Sequence, residues 1–270
     1  MDSTIAYSRR TTPTAVIRVH RDSIRRDRDR LATEEPLQIR MSIGGEKYQV
    51  AVTMRTPGND FELAAGFLFS EGLVGSVDDI RHISYCSRLP VEERYNAVLV
   101  ELNSQKIPTL EGMERQGVMT SACGVCGQRT VKDLAERGVE VVRSKLGVTE
   151  NLLLDLPLML RANQQVFEST GGLHAAGLFS SDGTVEVVRE DVGRHNALDK
   201  LIGWSLLQGR FPLDDKILML SGRVSYELVA KAAVAGIPII AAVSAPSSLA
   251  VNLAKSFGIT LAGFVRKSSF

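Results

Sequence analysis

The chain has 270 residues, 44% of them hydrophobic and 23% charged, with a formal net charge of +1. That length buries a substantial core, as one large domain or as two lobes. The near-neutral balance gives no global electrostatic case for nucleic acid or a membrane surface, and no run approaches the roughly eighteen apolar residues of a membrane-spanning helix.

The charge is unevenly spread. Residues 1–30 hold eight arginines against four aspartates, a composition expected of a solvated or mobile basic arm. Within it only Thr14 to Val19 has strand character. Arg9-Arg10 is not followed by an apolar stretch, so a twin-arginine export signal is disfavoured. From residue 31 to 127 a β-rich lobe is expected. Leu37, Ile39, Met41 and Ile43 alternate with polar residues, Gly44-Gly45 makes a turn, and Tyr48, Val50, Val52 and Met54 alternate on the return, as in a hairpin with one buried face. Thr56-Pro57-Gly58-Asn59-Asp60 breaks the strand, and a helix over Phe61 to Leu73 ends near Gly72. Two further strands are expected at 81–87 and 94–102. Residues 103–127 show no periodicity, and a connection that long is more often functional than incidental.

At its end lies Cys123-Gly124-Val125-Cys126-Gly127, which holds two of the three cysteines. A thiolate beside a second thiol, a basic side chain or a helix start is acidified and nucleophilic. Gln128 to Arg137 reads as a helix whose dipole and Arg129 favour such a thiolate. Zinc needs four ligands, and Cys86 with four scattered histidines supplies neither a second CxxC nor an HxxxH. No metal site is expected. A thioredoxin-like pair would follow a strand, which this one does not. Idle thiols would leave the flanking glycines unexplained. A reactive pair is the favoured reading, and the odd cysteine count fits a reducing cytoplasm better than a disulfide scaffold.

Residues 128–270 are expected to form an α/β lobe. Strands are predicted at 175–179, 184–188, 216–220, 238–243 and 260–265, with helices at 194–207, 226–235 and 247–257. This order implies a largely parallel sheet covered on both faces, with ligands beyond the strands' carboxyl ends. Ser221-Gly222-Arg223, Ser244 to Ser248 and Arg266-Lys267-Ser268-Ser269 stand there. Each couples small or hydroxyl residues to a helix start or a cation, as in phosphate sites, although a serine before a helix is also an ordinary cap. There is neither a GxGxxG nor a P-loop. His174 follows Gly171-Gly172, and Asp191-Val192-Gly193-Arg194-His195-Asn196 crowds polar side chains into a strand-to-helix junction. Either histidine is a structural residue or part of a site, and Asp191 is a site residue or a helix cap.

Taken in order, Thr56-Pro57-Gly58 with Leu63 to Leu68, Cys123 to Gly127, Thr170 to His174, Asp191 to Ala197, Ser221-Gly222-Arg223 and Ala245 to Ser248 resemble the FdhD family over about residues 33–266. The resemblance implies a sulfur carrier needed for active formate dehydrogenase. Such a protein takes persulfide sulfur from a cysteine desulfurase and passes it to the molybdenum or tungsten of the bis-molybdopterin guanine dinucleotide cofactor. It also implies a cytidine-deaminase-like three-layer C-terminal core with a smaller β-rich N-terminal lobe, a homodimer and a cytoplasmic location. The family's persulfide cysteine matches Cys123, with Cys126 as its companion. Its cofactor segment matches Phe264-Val265-Arg266-Lys267-Ser268-Ser269, where the family usually continues into a further strand and this sequence ends at Phe270. Arg223 and His174 join that cofactor-binding set, and guanine nucleotides are the expected partial mimics of the cargo. His174-Ala175-Ala176 lacks the glutamate of the zinc deaminases, so deamination is not expected. The alternatives are a chaperone for the cofactor or the apo-dehydrogenase, then a thiol-disulfide oxidoreductase.

Overall fold

Thr11–His20 (β1) and Ser23–Ala32 (β2) pair antiparallel in unbroken register as a two-stranded sheet of their own. They belong to a computed structural model that describes residues 10–86, 94–103 and 131–270; the Cys123–Cys126 pair lies outside the described residues. The segment expected as a mobile arm is therefore regular, although it is largely solvated. Val16, Ile17, Val19 and Ile24 favour extended backbone. Arg18 reaches diagonally across the pair to Asp27 at 2.8 Å and to the cross-strand Asp29 at 2.9 Å.

Glu35–Ile43 (β3) and Glu46–Arg55 (β4) form the expected hairpin. Gly44 and Gly45 both adopt positive φ, +59° and +91°, the pairing that a tight two-residue turn demands and that side chains resist. Ile80–Tyr85 (β5) and Ala97–Leu102 (β6) complete a four-stranded sheet in the order β4-β3-β6-β5, with β6 parallel to β3. Leu37, Ile39 and Met41 are fully buried on one face of β3. They pack in one core with Leu63, Ala64 and Leu68 of the helix Asp60–Ser70 (α1).

The rest of the chain contributes Val131–Glu136 (α2), Glu150–Ala162 (α3), Gln165–Thr170 (α4), His174–Phe179 (β7), Val185–Asp191 (β8) and Arg194–Leu207 (α5). Ile217–Leu220 (β9), Tyr226–Val234 (α6), Ile239–Ala242 (β10), Ser248–Ser256 (α7) and Thr260–Ala262 (β11) follow. The five strands order as β11-β10-β9-β7-β8. Strands β9, β10 and β11 are parallel, as expected, but β7 runs antiparallel to both of its neighbours. The reversal follows from the short turn at 180–184, closed by Ser180 N–H on the Thr184 carbonyl in one direction and Gly183 N–H on the Ser180 carbonyl in the other.

Both faces of this sheet are covered. Leu153, Leu156 and Leu160 of α3 pack with Phe179, Ile217, Met219 and Ala241. On the other face Leu178, Leu218 and Ile240 share a core with α5, α6 and α7, continuous with α1 and the four-stranded sheet. Among the described residues no helix is long and apolar enough to cross a membrane.

The two lobes meet where α1 crosses α5. A Cβ added at Gly66 would land on the carbonyl oxygen of Asp199, and one at Gly203 on that of Glu62. Backbone touches backbone there. Polar side chains close around the crossing: Arg189 binds Glu62 through both carboxylate oxygens, Ser70 Oγ donates to Asp199 at 3.0 Å, and Lys231 Nζ reaches the same carboxylate at 2.7 Å. Gly203→Ala must therefore force the helices apart, at an expected loss of about 3 kcal/mol or more. Gly147→Ala, which adds a Cβ into open space at ordinary φ, is expected to be neutral. Urea midpoints of the two variants check this.

Candidate anion site at the strand ends

Because β8, β9, β10 and β11 run one way and β7 the other, the ends of four strands and the start of β7 share one edge of the sheet. His174 stands there, opposite Asp191 in the ladder. The loops beyond the strands are stitched together by backbone bonds, from Val224 N–H to the Ala245 carbonyl, Ser247 N–H to that of Val224, and Phe264 N–H to that of Ser244. The three junctions read from the sequence thus lie side by side.

Their serines do different work. Ser247 is an ordinary helix cap, accepting from Ala250 N–H at 3.2 Å. Ser221 Oγ accepts from Ala175 N–H at 2.8 Å and ties β9 to β7. Ser225 precedes α6 without capping it. Its hydroxyl instead meets His195 Nε2 at 3.1 Å, and Glu227 Oε2 lies 2.8 Å from the same nitrogen. An acid and a hydroxyl on one ring nitrogen do not make a nucleophile relay, which needs them on opposite nitrogens. The uncapped start of α6 keeps its backbone N–H groups toward the edge.

The electrostatics favour an anion. Burial lowers the pKa of His174, and Arg194, His195 and Arg223 lower it further against the opposing charge of Asp191, so the neutral ring is favoured. Hydrogen bonding from His195 holds the Glu227 carboxyl below its usual range despite burial. Arg223, Arg266 and Lys267 are exposed. Phe264 is 53% exposed at φ +55°, an uncommon backbone state for a bulky residue, and it shares a segment with Arg266 and Lys267. Val265 is fully buried in the core under α3 and its N–H is donated to the Ala242 carbonyl at 2.9 Å, so its side chain cannot meet a ligand. Ser268 and Ser269 are exposed, and Arg266 N–H donates to the Ser269 carbonyl at 2.9 Å.

Asp191 is buried and structural. It accepts from the N–H of Gly193 at 2.8 Å and of Thr56 at 3.1 Å, and it pairs with the fully buried Lys200 at 2.7 Å. Lys200 also donates to the Thr56 carbonyl at 2.8 Å. Burial lowers the lysine pKa, and Asp191 opposes that shift. Ser225 and Glu227 escaped the sequence reading because Ser-x-Glu before a helix has the composition of a simple cap. Cys86 is free and half-buried at the end of β5. No cluster of metal-ligating side chains occurs among the described residues.

The state of His174 has a measurable consequence. With its folded pKa below the ordinary 6.5, unfolding takes up a proton between those two values. Stability therefore falls as pH drops through that window. His174→Gln should flatten this slope, as read from urea midpoints between roughly pH 5 and 7.

Comparison with known proteins supplies the family. The FdhD/NarQ family model matches residues 32–270. A protein from Nocardia farcinica named sulfur carrier protein FdhD is 50% identical over 248 residues, 89% of this chain and 85% of its own. A protein of the same name from Streptomyces coelicolor is 48% identical over 259 residues, covering 94% of this chain and 90% of its own. The crystal structure of a protein from Desulfotalea psychrophila, 24% identical, superposes with a TM-score of 0.71 over 95% of this chain and 94% of that one, which shows a shared fold. With the family model matched from residue 32 to the last residue and relatives near half identity across most of both chains, this chain belongs to the FdhD/NarQ family.

Proposed function

We propose that this protein is a sulfur carrier for formate dehydrogenase. In this reading Cys123 receives a sulfane sulfur from a cysteine desulfurase and gives it to the metal of the molybdenum bis-molybdopterin guanine dinucleotide, bound as cargo. The observation that carries the proposal is the near-half identity to proteins named sulfur carrier protein FdhD, together with a Cys-x-x-Cys in this chain. The cationic strand-end edge supports it, because a pterin guanine dinucleotide brings phosphates for Arg223, Arg266 and Lys267 and a purine face for Phe264. His174, neutral among the arginines, is suited to the polar edges of such a ligand. Helices on both faces of the five-stranded sheet are compatible with the deaminase-like layering that the resemblance implies. A homodimer acting in the cytoplasm belongs to the same proposal.

The chemistry balances with the residues available. The Cys123 thiolate attacks the terminal sulfur of the desulfurase persulfide, forming a sulfur–sulfur bond and releasing the desulfurase thiolate, which takes up a proton. For delivery, the Cys126 thiolate attacks Cys123 Sγ. The terminal sulfur leaves as hydrosulfide toward the metal, and a Cys123–Cys126 disulfide remains. Those two cysteines supply both electrons, and a cellular dithiol restores them. A chaperone that only holds the cofactor would need none of this.

Mass spectrometry separates the two. Incubation with a desulfurase and cysteine should add about 32 Da per sulfur to the protein and add nothing to Cys123→Ala, which should also fail to activate formate dehydrogenase. Cys126→Ala should load normally and deliver more slowly, because an external thiol can replace it. A gain of about 32 Da by the Cys123→Ala protein equal to that of the natural chain, or its full activity in activating formate dehydrogenase, would refute the assignment.

The cargo edge has its own test. Guanosine diphosphate should bind, and Arg223→Ala should weaken it by about 1.5 kcal/mol if the guanidinium meets phosphate. Calorimetry showing unchanged affinity would remove Arg223 from the site.

A further inference from the structure

The β1–β2 hairpin precedes the family match, which begins at its last residue, and its two faces are unlike. Strand alternation and the register place Arg26, Arg28 and Arg30 on one face with Ile17, Val19 and Ile24. The strand acids Asp27 and Asp29 are on the other, paired with Arg18, and Asp27 also faces Arg25 at 3.6 Å. Among the described residues no acidic side chain pairs with Arg26, Arg28 or Arg30, and all three are exposed. Ile17, Val19 and Ile24, at the tip of that face, are 67%, 70% and 75% exposed.

Residues two apart on a strand stand about 6.8 Å from each other, inside the Debye length at physiological salt. The three guanidinium groups therefore repel one another, and no acidic side chain among the described residues offsets this. A face built for solvation alone would mix its signs, as the opposite face does. The row is also placed with respect to the site. At its base Ala32 lies against Gly172, whose added Cβ would be 3.6 Å from the alanine methyl, and Gly172 is two residues before His174. A molecule lying along this face runs from the apolar tip to the strand-end edge.

We infer that this face of the hairpin is a docking surface for an acidic, partly apolar segment of a partner protein. Carboxylates would meet the arginine row and apolar side chains the tip. A polyphosphate such as nucleic acid fits less well, because the face has no aromatic ring for bases to stack on and would leave three apolar side chains against a charged backbone. A second copy fits less well too. Two such faces would set arginine against arginine or arginine against isoleucine, and neither arrangement supplies an anion. The inference does not depend on the sulfur chemistry, and its test does not read sulfur.

The test uses the full chain and three labelled probes of about ten units, the length needed to span the hairpin. They are a glutamate peptide with leucine at intervals, a pure glutamate peptide and an oligo-dT. The mixed peptide should bind most tightly by fluorescence anisotropy and weaken with salt. Arg26→Glu/Arg28→Glu/Arg30→Glu should reduce its affinity by roughly tenfold or more, while Arg25→Glu on the opposite face should stay within about twofold. Should the reversed triple variant lose its fold by circular dichroism, the glutamine triple variant decides the matter with a smaller loss in the same direction. Equal peptide affinity in a folded triple variant, or no peptide binding by the natural chain, overturns the inference. Tighter binding of oligo-dT than of the mixed peptide, or a dimer that the triple substitution dissolves in sedimentation, also overturns it and assigns the face to nucleic acid or to self-association.

Discussion

The architecture depends on one close approach. Two sheets with separate hydrogen-bond ladders are held together because α1 and α5 cross with no side chain between them, at Gly66 and Gly203. The dispersion gained at that distance is short-ranged, so it exists only while both positions lack a Cβ. Once the helices touch, everything near them is fixed in turn. Asp199 is brought within reach of Ser70 and Lys231, Glu62 within reach of Arg189, and Thr56 within reach of Asp191 and Lys200. The strand-end edge inherits its geometry from this chain of contacts, since Asp191 pairs with His174 in the sheet and precedes the helix that carries Arg194 and His195.

The buried ions around that crossing are better understood as orientation than as stability. Lys200 and Asp191 are both fully buried, and so is Arg55, which binds Asp60 through both carboxylate oxygens. Removing such charges from water costs about as much as their attraction returns. What distinguishes them is that backbone groups fill many of their remaining hydrogen-bonding positions. Arg55 donates to the Tyr95 carbonyl, Lys200 to that of Thr56, and Asp191 accepts from the N–H of Thr56 and Gly193. A shifted packing of the lobes would strand those groups, so the network selects one alignment of the sheets.

How much of this was legible follows from how local each signal is. The β3–β4 hairpin could be read because alternation and Gly44-Gly45 are adjacent in sequence, and α5 because its apolar face begins at a glycine and runs unbroken, so its bounds at Arg194 and Leu207 matched. Helix α3 escaped because Pro157 sits inside it, although Leu153, Leu156 and Leu160 keep helical spacing. Strand β2 escaped because arginine and aspartate occupy most of its alternating positions. The direction of β7 is invisible to composition, since it is set by a short turn and by pairing with β9 about forty residues later. The placement of the three junctions at one edge was legible. The diversion of Ser225 to His195 and the burial of Val265 were not, for both depend on contacts between segments distant in sequence.

The reversal of β7 also sets how stiff the two ends of that edge are. His174 begins a strand paired on both sides, to β8 and to β9, and its ring lies against Gly222. Phe264 to Ser269 extend beyond β11, a three-residue strand with a neighbour on one side only. A ligand spanning the edge, as proposed, would meet a doubly paired strand at one end and a singly paired one at the other. The entropy lost on such binding would then be concentrated in the C-terminal segment, and substitutions there would act on dissociation more than those at His174. Under the proposed function, release of the cargo would begin at that end while the other still held.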